Sequence, residues 1–147
     1  MAQSSSNKGS SIRKYGDPVL AAMADEITNI DGKLVTLAED MFRVMYQAPG
    51  LGLAGPQIGV QKQIFVYDVD DDPQVIINPK ILEVSEETIE LEEGCLSFPG
   101  DLIKVKRPVW IIARFIQVNG KGHTQRFEGM TARVFQHEYD HMVGRNM

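Results

Sequence analysis

The sequence predicts an α+β fold: β-strands in antiparallel or mixed sheets, packed around one C-terminal helix that carries a metal site, with a second helix outside them towards the N-terminus. Three observations predict it. After Asp31, the residues Leu34, Leu37, Ala38, Met41, Phe42 and Met45 recur at helical spacing. From about residue 63 to 118 the chain breaks into short apolar and β-branched runs divided by turn-forming residues. Near the end, His137-Glu138-Tyr139-Asp140-His141 sets two imidazoles four residues apart, which on a helix places both rings on one face.

Taken in order, residues 1–11 are rich in serine, contain no acid and carry only Lys8, which suits a disordered leader; they lack the arginines of a transit peptide. Residues 12–147 are expected to form one catalytic domain. Asp31 is placed to cap the first long helix, whose apolar stripe reads as core and which ends at Pro49-Gly50. The run from Gly50 to Gly59 is too rich in glycine for regular structure and reads as a loop that lets backbone approach something closely. A phosphate loop is excluded, because no Gly-Lys-Ser/Thr follows.

Strands are expected at 63–69, 74–78, 80–85, 88–92, 103–106 and 109–118. Asp68-Val69-Asp70-Asp71-Asp72-Pro73 reads as a solvated turn. As a calcium loop it would put Pro73 where glycine is required and Pro79 where the last glutamate belongs. Asn119-Gly120-Lys121-Gly122 is a hairpin turn, with His123 beside it exposed. The last helix is expected from a Thr131 cap to Gly144, with Met130, Val134, His137 and His141 on one face.

Chance pairs of histidines at this spacing occur on surface helices. Here the intervening Glu138 and the apolar Val134 and Phe135 just upstream favour a metal site, with Glu138 free to act as a base. A third ligand must come from elsewhere, and Cys95, the single cysteine, is the candidate. It lies in Glu92-Glu93-Gly94-Cys95-Leu96-Ser97, before a Phe98-Pro99-Gly100 stretch where a turn could expose its sulfur. A lone cysteine is more often a buried apolar residue, but Cys95, His137 and His141 together leave one position open, as a catalytic ion needs. Gln57, in the glycine-rich run, offers an amide that could donate to a developing oxyanion.

These three segments, Gly50 to Gln57, Glu93 to Ser97 and His137 to His141, resemble in order and separation the signature motifs of peptide deformylases, G-x-G-L-A-A-x-Q, E-G-C-L-S and H-E-x-D-H. The resemblance extends from about Arg13 to Gly144 and is strongest to the branch that includes plant organellar enzymes. It implies the peptide deformylase fold, a divalent metal ion (Fe²⁺ in the cell, with Zn²⁺, Ni²⁺ or Co²⁺ able to substitute) and hydrolysis of the formyl group from the N-terminal formyl-methionine of nascent polypeptides. It also implies that Cys95, His137 and His141 hold the ion, and that Glu138, Gln57 and the Leu96 backbone N–H perform the catalysis. Gly50, Leu51, Gly52, Gly94, Met130, Arg133 and Val134 would then bind substrate. Two departures stand out. Gly55 replaces the usual alanine, which puts the rigidity of the loop in question, and the chain stops at Met147, where most relatives continue; short members are associated with bacteriophages.

Composition agrees with this reading. At 147 residues and 43% hydrophobic content the chain can bury a core, and a formal net charge of −5 argues against non-specific nucleic-acid binding. No apolar run is long enough to span a membrane, and one cysteine cannot form an intramolecular disulfide, so a reducing bacterial or phage-infected cytoplasm is expected. The expected partners are formylated nascent chains near the ribosome exit, met by a monomer. A zinc endopeptidase, the main rival enzyme, would take its third ligand after the histidine pair, but Met142 to Met147 contain no His, Glu, Asp or Cys. A non-catalytic formyl-peptide-binding module would need neither Glu138 nor Gln57.

Overall fold

Asp31 starts the first long helix as its sequence predicts: in the computed structural model, which describes residues 12–145, its carboxylate accepts from the N–H groups of Lys33 and Leu34 at 3.1 and 3.2 Å. The leader expected at 1–11 lies outside the described residues. In chain order the elements are α1 (Pro18–Ala21), α2 (Gly32–Gln47), β1 (Gly52–Ala54), a 3-10 turn (Gly55–Ile58), β2 (Ile64–Val69), β3 (Asp72–Val84), β4 (Thr88–Cys95), β5 (Phe98–Pro108), β6 (Trp110–Ile116), β7 (Gly122–Glu128) and α3 (Gly129–Met142).

Five strands form one sheet in the order β1-β2-β3-β6-β7, and β4 pairs with β5 in a separate two-stranded ribbon inserted between β3 and β6. Every ladder is antiparallel. The stripe of α2 packs Leu34, Ala38, Met41 and Met45 against Leu53, Ile64, Val66 and Ile77, with Leu37 and Phe42 partly buried at its margin. Helix α3 is enclosed far more completely. Its Ala132, Val134, Phe135 and Met142 join Phe65, Tyr67, Ile76, Ile111, Phe115 and Phe127 in a second core. The α+β arrangement around a C-terminal helix is therefore as the sequence predicts.

Several boundaries differ, each for a physical reason. The glycine-rich run is not wholly irregular: Leu53 and Ala54 are fully buried, and β1 pairs with β2 through Leu53↔Val66 and Ala54↔Phe65. The expected strands at 74–78 and 80–85 are one strand bent by a bulge at Pro79, a proline placement that spares the ladder. Asp70 and Asp71, at φ 57° and 59°, form a two-residue hairpin loop of the kind that matches strand twist. Strand β7 has no apolar alternation to announce it, because it is an edge strand whose only buried residue is Phe127. Helix α3 begins at Gly129 rather than Thr131, without a side-chain cap, and Gly144 ends it at φ 79°.

Gly55, the departure from the usual alanine, tightens its loop. An added Cβ would lie 2.8 Å from the Val60 carbonyl oxygen and 3.0 Å from that of Lys62, so glycine is what lets these backbones meet.

Asn78 holds the bend in β3 at φ 50°, and its side chain accepts from Ile27 N–H and donates to Ile27 C=O, both at 2.8 Å. Replacing it with alanine removes both bonds and leaves a Cβ-bearing residue in the left-handed region without a local polar partner. Asn78→Ala should lower unfolding free energy by about 2–4 kcal/mol, with Asn78→Gly intermediate, measured by urea denaturation. A shift no larger than that of a surface substitution would show that this bridge does not hold the bend.

Candidate metal and catalytic site

Four segments meet at the site. Strand β4 ends at Cys95, α3 supplies His137, Glu138 and His141, the 3-10 turn supplies Gln57, and β1 forms one wall. The i, i+4 spacing on α3 brings the two imidazole rings to 5.2 Å between centroids. Cys95 Sγ lies 3.3 Å from His141 Nε2, and one ligand atom from each of Cys95, His137 and His141 falls within 4.8 Å of the others. The sulfur is not exposed on a turn as the sequence suggested. Cys95 pairs with Phe98 in the ribbon and is 8% exposed, because β4 and β5 run to the edge of the site and only Leu96 and Ser97 form the turn.

A single carboxylate orients this set. His137 Nδ1–H donates to Glu93 Oε1 at 2.8 Å, which turns Nε2 towards the cysteine and His141. Glu93 is held in turn by a two-point contact from Arg107, Nε to Oε2 at 2.6 Å and Nη2 to Oε1 at 2.8 Å, and by Arg133 Nη1. Arg107 Nη1 reaches on to Asp140 Oδ2 at 2.9 Å, while Arg133 also donates to the carbonyls of Ile89 and Val105. Burial favours the neutral acid at Glu93, but His137 and Arg107 outweigh it and hold the carboxylate at about 2. Burial lowers His137 as well, yet its hydrogen bonds to Cys95 and Glu93 and the charge of Glu138 raise it to about 10. At His141 burial prevails, joined by the charges of His137 and Arg107, and the ring falls to about 3.

Glu138 points into the site without touching that network. It is 4% exposed, and its Oε1 has no hydrogen-bond partner among the described residues. Its carboxylate rests where a side chain on Gly52 would be: an added Cβ would lie 2.7 Å from Oε2. Burial raises it to about 7, against the opposing charges of His137 and Arg107. A carboxyl poised there can both take and return a proton near neutral pH.

Gln57 is 1% exposed and fixed at one end. Its Oε1 accepts from Ala54 N–H at 2.9 Å, which directs Nε2 towards Ser97 Oγ at 3.2 Å and Cys95 Sγ at 3.8 Å. A cavity of about 790 Å³ opens over these groups. Gly50, Leu51, Gly52, Gly94, Leu96, Met130, Arg133 and Val134 line it together with Gln57, Cys95, His137 and Glu138, while His141 is not among its lining residues. Arg133 is nevertheless engaged mainly with Glu93 and the ribbon carbonyls. Met130 is 49% exposed and stands at the mouth, whereas Val134 is buried. Glu93, Arg107, Asp140 and Ser97 were not assigned roles from sequence; Glu93 and Ser97 adjoin Cys95 in the motif, but no spacing rule points to Arg107.

The residues fit a divalent transition ion: one sulfur and two ring nitrogens converge, one ring is oriented from behind, and an unpaired carboxylate stands beside them.

Comparison with known proteins agrees with this geometry. Residues 10–147 match the sequence model of a family described as polypeptide deformylase. The chain is 46% identical over 133 residues to a peptide deformylase of Clostridium botulinum, covering 90% of each, and 44% identical to one of Thermotoga neapolitana, covering 90% of this chain and 81% of the other. Among solved structures it is similar to peptide deformylase from Thermotoga maritima, with a TM-score of 0.90, 43% identity and 91% of each chain covered. A plant peptide deformylase 1B from Arabidopsis thaliana gives 0.89 at 36% identity, covering 91% of this chain and 76% of that one.

Glu93→Gln tests the orienting network. It leaves Arg107 and Arg133 facing a neutral amide in a buried place and weakens the hold on His137. Ion affinity, measured by competition with a chelator, should drop about 10–100-fold, and stability should fall by about 3–5 kcal/mol. Unchanged affinity would mean that His137 is oriented by something else.

Proposed function

The chain belongs to the polypeptide deformylase family, and from that premise we propose that its Cys95, His137 and His141 hold the catalytic ion while Glu138, Gln57 and Leu96 carry out hydrolysis of the formamide. It is a hydrolase that removes the formyl group from the N-terminus of nascent polypeptides. Residues 12–147 act as one catalytic domain in this reading. The observation that carries the residue roles is the pair of groups the ion does not need: an unpaired, buried Glu138 and a Gln57 amide locked to Ala54, both aimed at the donor set.

When bound, a divalent ion supplies Lewis acidity, lowering the pKa of water towards neutrality. Glu138 takes the proton from the attacking water. As the formyl carbon becomes tetrahedral, its oxygen accepts hydrogen bonds from Gln57 Nε2–H, an amide already held at its other end by Ala54 N–H, and from the Leu96 backbone N–H. Glu138 then gives the proton to the departing nitrogen, the carbon–nitrogen bond breaks, and formate and a free amino terminus are the products. The segment Gly50–Gly52 that leads into the edge strand β1 and the backbone of Gly94 hold the peptide main chain, and Met130 and Val134 border an apolar space for the methionine side chain. Arg133 borders the same space while bracing Glu93.

Fe²⁺ is our assignment for the cellular ion, with Zn²⁺, Ni²⁺ and Co²⁺ as substitutes, since thiolate and imidazole suit all of these. We assign the enzyme to the cytoplasm, acting as a monomer on chains near the ribosome exit. None of the described helices is long and apolar enough to cross a membrane.

Glu138→Ala should retain its ion yet lose about 10²–10⁴ in turnover, and Gln57→Ala should retain its ion with kcat about 10²–10³ lower. Elemental analysis and formate release from formyl-Met peptides on one preparation decide the matter: loss of the ion, or full activity, contradicts either role. If the working ion is Fe²⁺, activity should decay in air as the iron or the Cys95 sulfur is oxidised, while nickel-loaded protein persists. Equal decay of the two forms, or a mass gain located away from Cys95, would contradict the ferrous assignment.

A further inference from the structure

We propose that the strap of residues 12–15 is a positioning element of the active site, fixing the separation between the Gln57 turn and the Leu96-Ser97 turn; this rests on the oxyanion roles assigned above. The two turns belong to different sheets, one following β1 in the five-stranded sheet and the other joining β4 to β5 in the ribbon, and the two sheets share no ladder. The strap bridges them. Arg13 N–H donates to the Gln57 carbonyl at 2.5 Å, and Tyr15 N–H donates to the Ser97 carbonyl at 3.1 Å. Gln57 Nε2 bonds Ser97 Oγ at 3.2 Å, so strap and turns close a ring of three hydrogen bonds beside the ion site.

Side chains hold the strap in place at both contacts. The Tyr15 ring lies 4.6 Å from that of Phe98, and the Arg13 guanidinium covers Gly59 so closely that a Cβ there would fall 2.6 Å from Nη2. Its far end is anchored independently. Asp17 N–H donates to the Lys14 carbonyl at 3.0 Å around Gly16 at φ 99°, the arrangement of a type II turn, and Asp17 then caps α1. The strap is thus a short extended segment whose consecutive same-side N–H groups grip the backbones beside both oxyanion donors. Its effect should reach the transition state more than the bound substrate, because donor spacing matters most as negative charge develops.

The turn makes a selective test possible. Position 15 is the second residue of the type II turn, where proline is favoured, so Tyr15→Pro removes the N–H while Tyr15→Ala keeps it. Tyr15→Pro should have kcat about tenfold below Tyr15→Ala, with KM changed by less than about twofold and ion content unchanged, and Tyr15→Phe should restore wild-type kcat because only the ring is needed on Phe98. In a Gln57→Ala background the Pro/Ala difference should vanish. Equal kcat for the Pro and Ala variants, an undiminished difference without Gln57, or an effect confined to KM would overturn the proposal. Amide hydrogen exchange at Arg13 and Tyr15, read without substrate, separates this idea from the functional reading: slow exchange supports the strap, and exchange at free-peptide rates sinks it, whether or not formate is released.

Discussion

The Glu93 carboxylate faces Arg107, Arg133 and the His137 ring in a place nearly closed to water, and this one group fixes the relation between two elements that otherwise have little to join them. A two-stranded ribbon is marginal by itself, and β4 and β5 share no ladder with the main sheet. Glu93 from β4 and Arg107 from β5 bind each other across the ribbon, while Arg133 from α3 reaches the carbonyls of Ile89 and Val105 on its two strands. The cost of burying these charges is offset only because each is met by several partners. Cys95 lies two residues beyond Glu93, and His137 is one turn beyond Arg133. The clamp that docks the ribbon on the helix therefore also sets the distance between thiol and imidazoles.

A second constraint is space, and glycines provide it. Glu138 occupies the room a Gly52 side chain would take, Leu96 packs where a Cβ on Gly50 would fall 2.9 Å from Cδ1, and Gly55 admits the Val60 and Lys62 carbonyls. All three lie within six residues. What the sequence presents as a flexible run is a tightly packed wall, and its glycines serve close approach more than mobility: none of the three has a positive φ.

This distinction explains which parts of the structure were legible in the sequence. Helix α2 was readable because one stripe at fixed period meets one core, and the candidate ion site because His137 and His141 carry their geometry in their spacing while Cys95 has no competitor. The motifs identified the family before any coordinates. Strand β7 was not readable, since an edge strand with one buried residue has no alternation, and the unity of β3 was hidden by Pro79, whose bulge is a tertiary solution to a local break. Arg107 was invisible for a different reason. Its partner Glu93 is 14 residues away across a ribbon whose register no local pattern specifies.

Charge accounting connects the clamp to the ion. With Cys95 as thiolate, the cluster would contain four anions, Cys95, Glu93, Glu138 and Asp140, against three arginines, Arg107 and Arg133 within it and the more exposed Arg145 on Asp140. The balance stays negative, and a cation held between thiolate and imidazoles would reduce that excess. Protons answer the same demand: Glu138 is raised to about 7 by burial, and His137 is raised to about 10 despite burial by its contacts with Cys95 and Glu93. His141 cannot also be charged, because burial and the neighbouring cations hold it down at about 3, leaving its nitrogen available as a donor. The surroundings thus divide the labour unequally between two chemically identical rings, one oriented by a carboxylate and one kept neutral by its burial. Both conditions suit imidazoles that must share one ion with a thiolate.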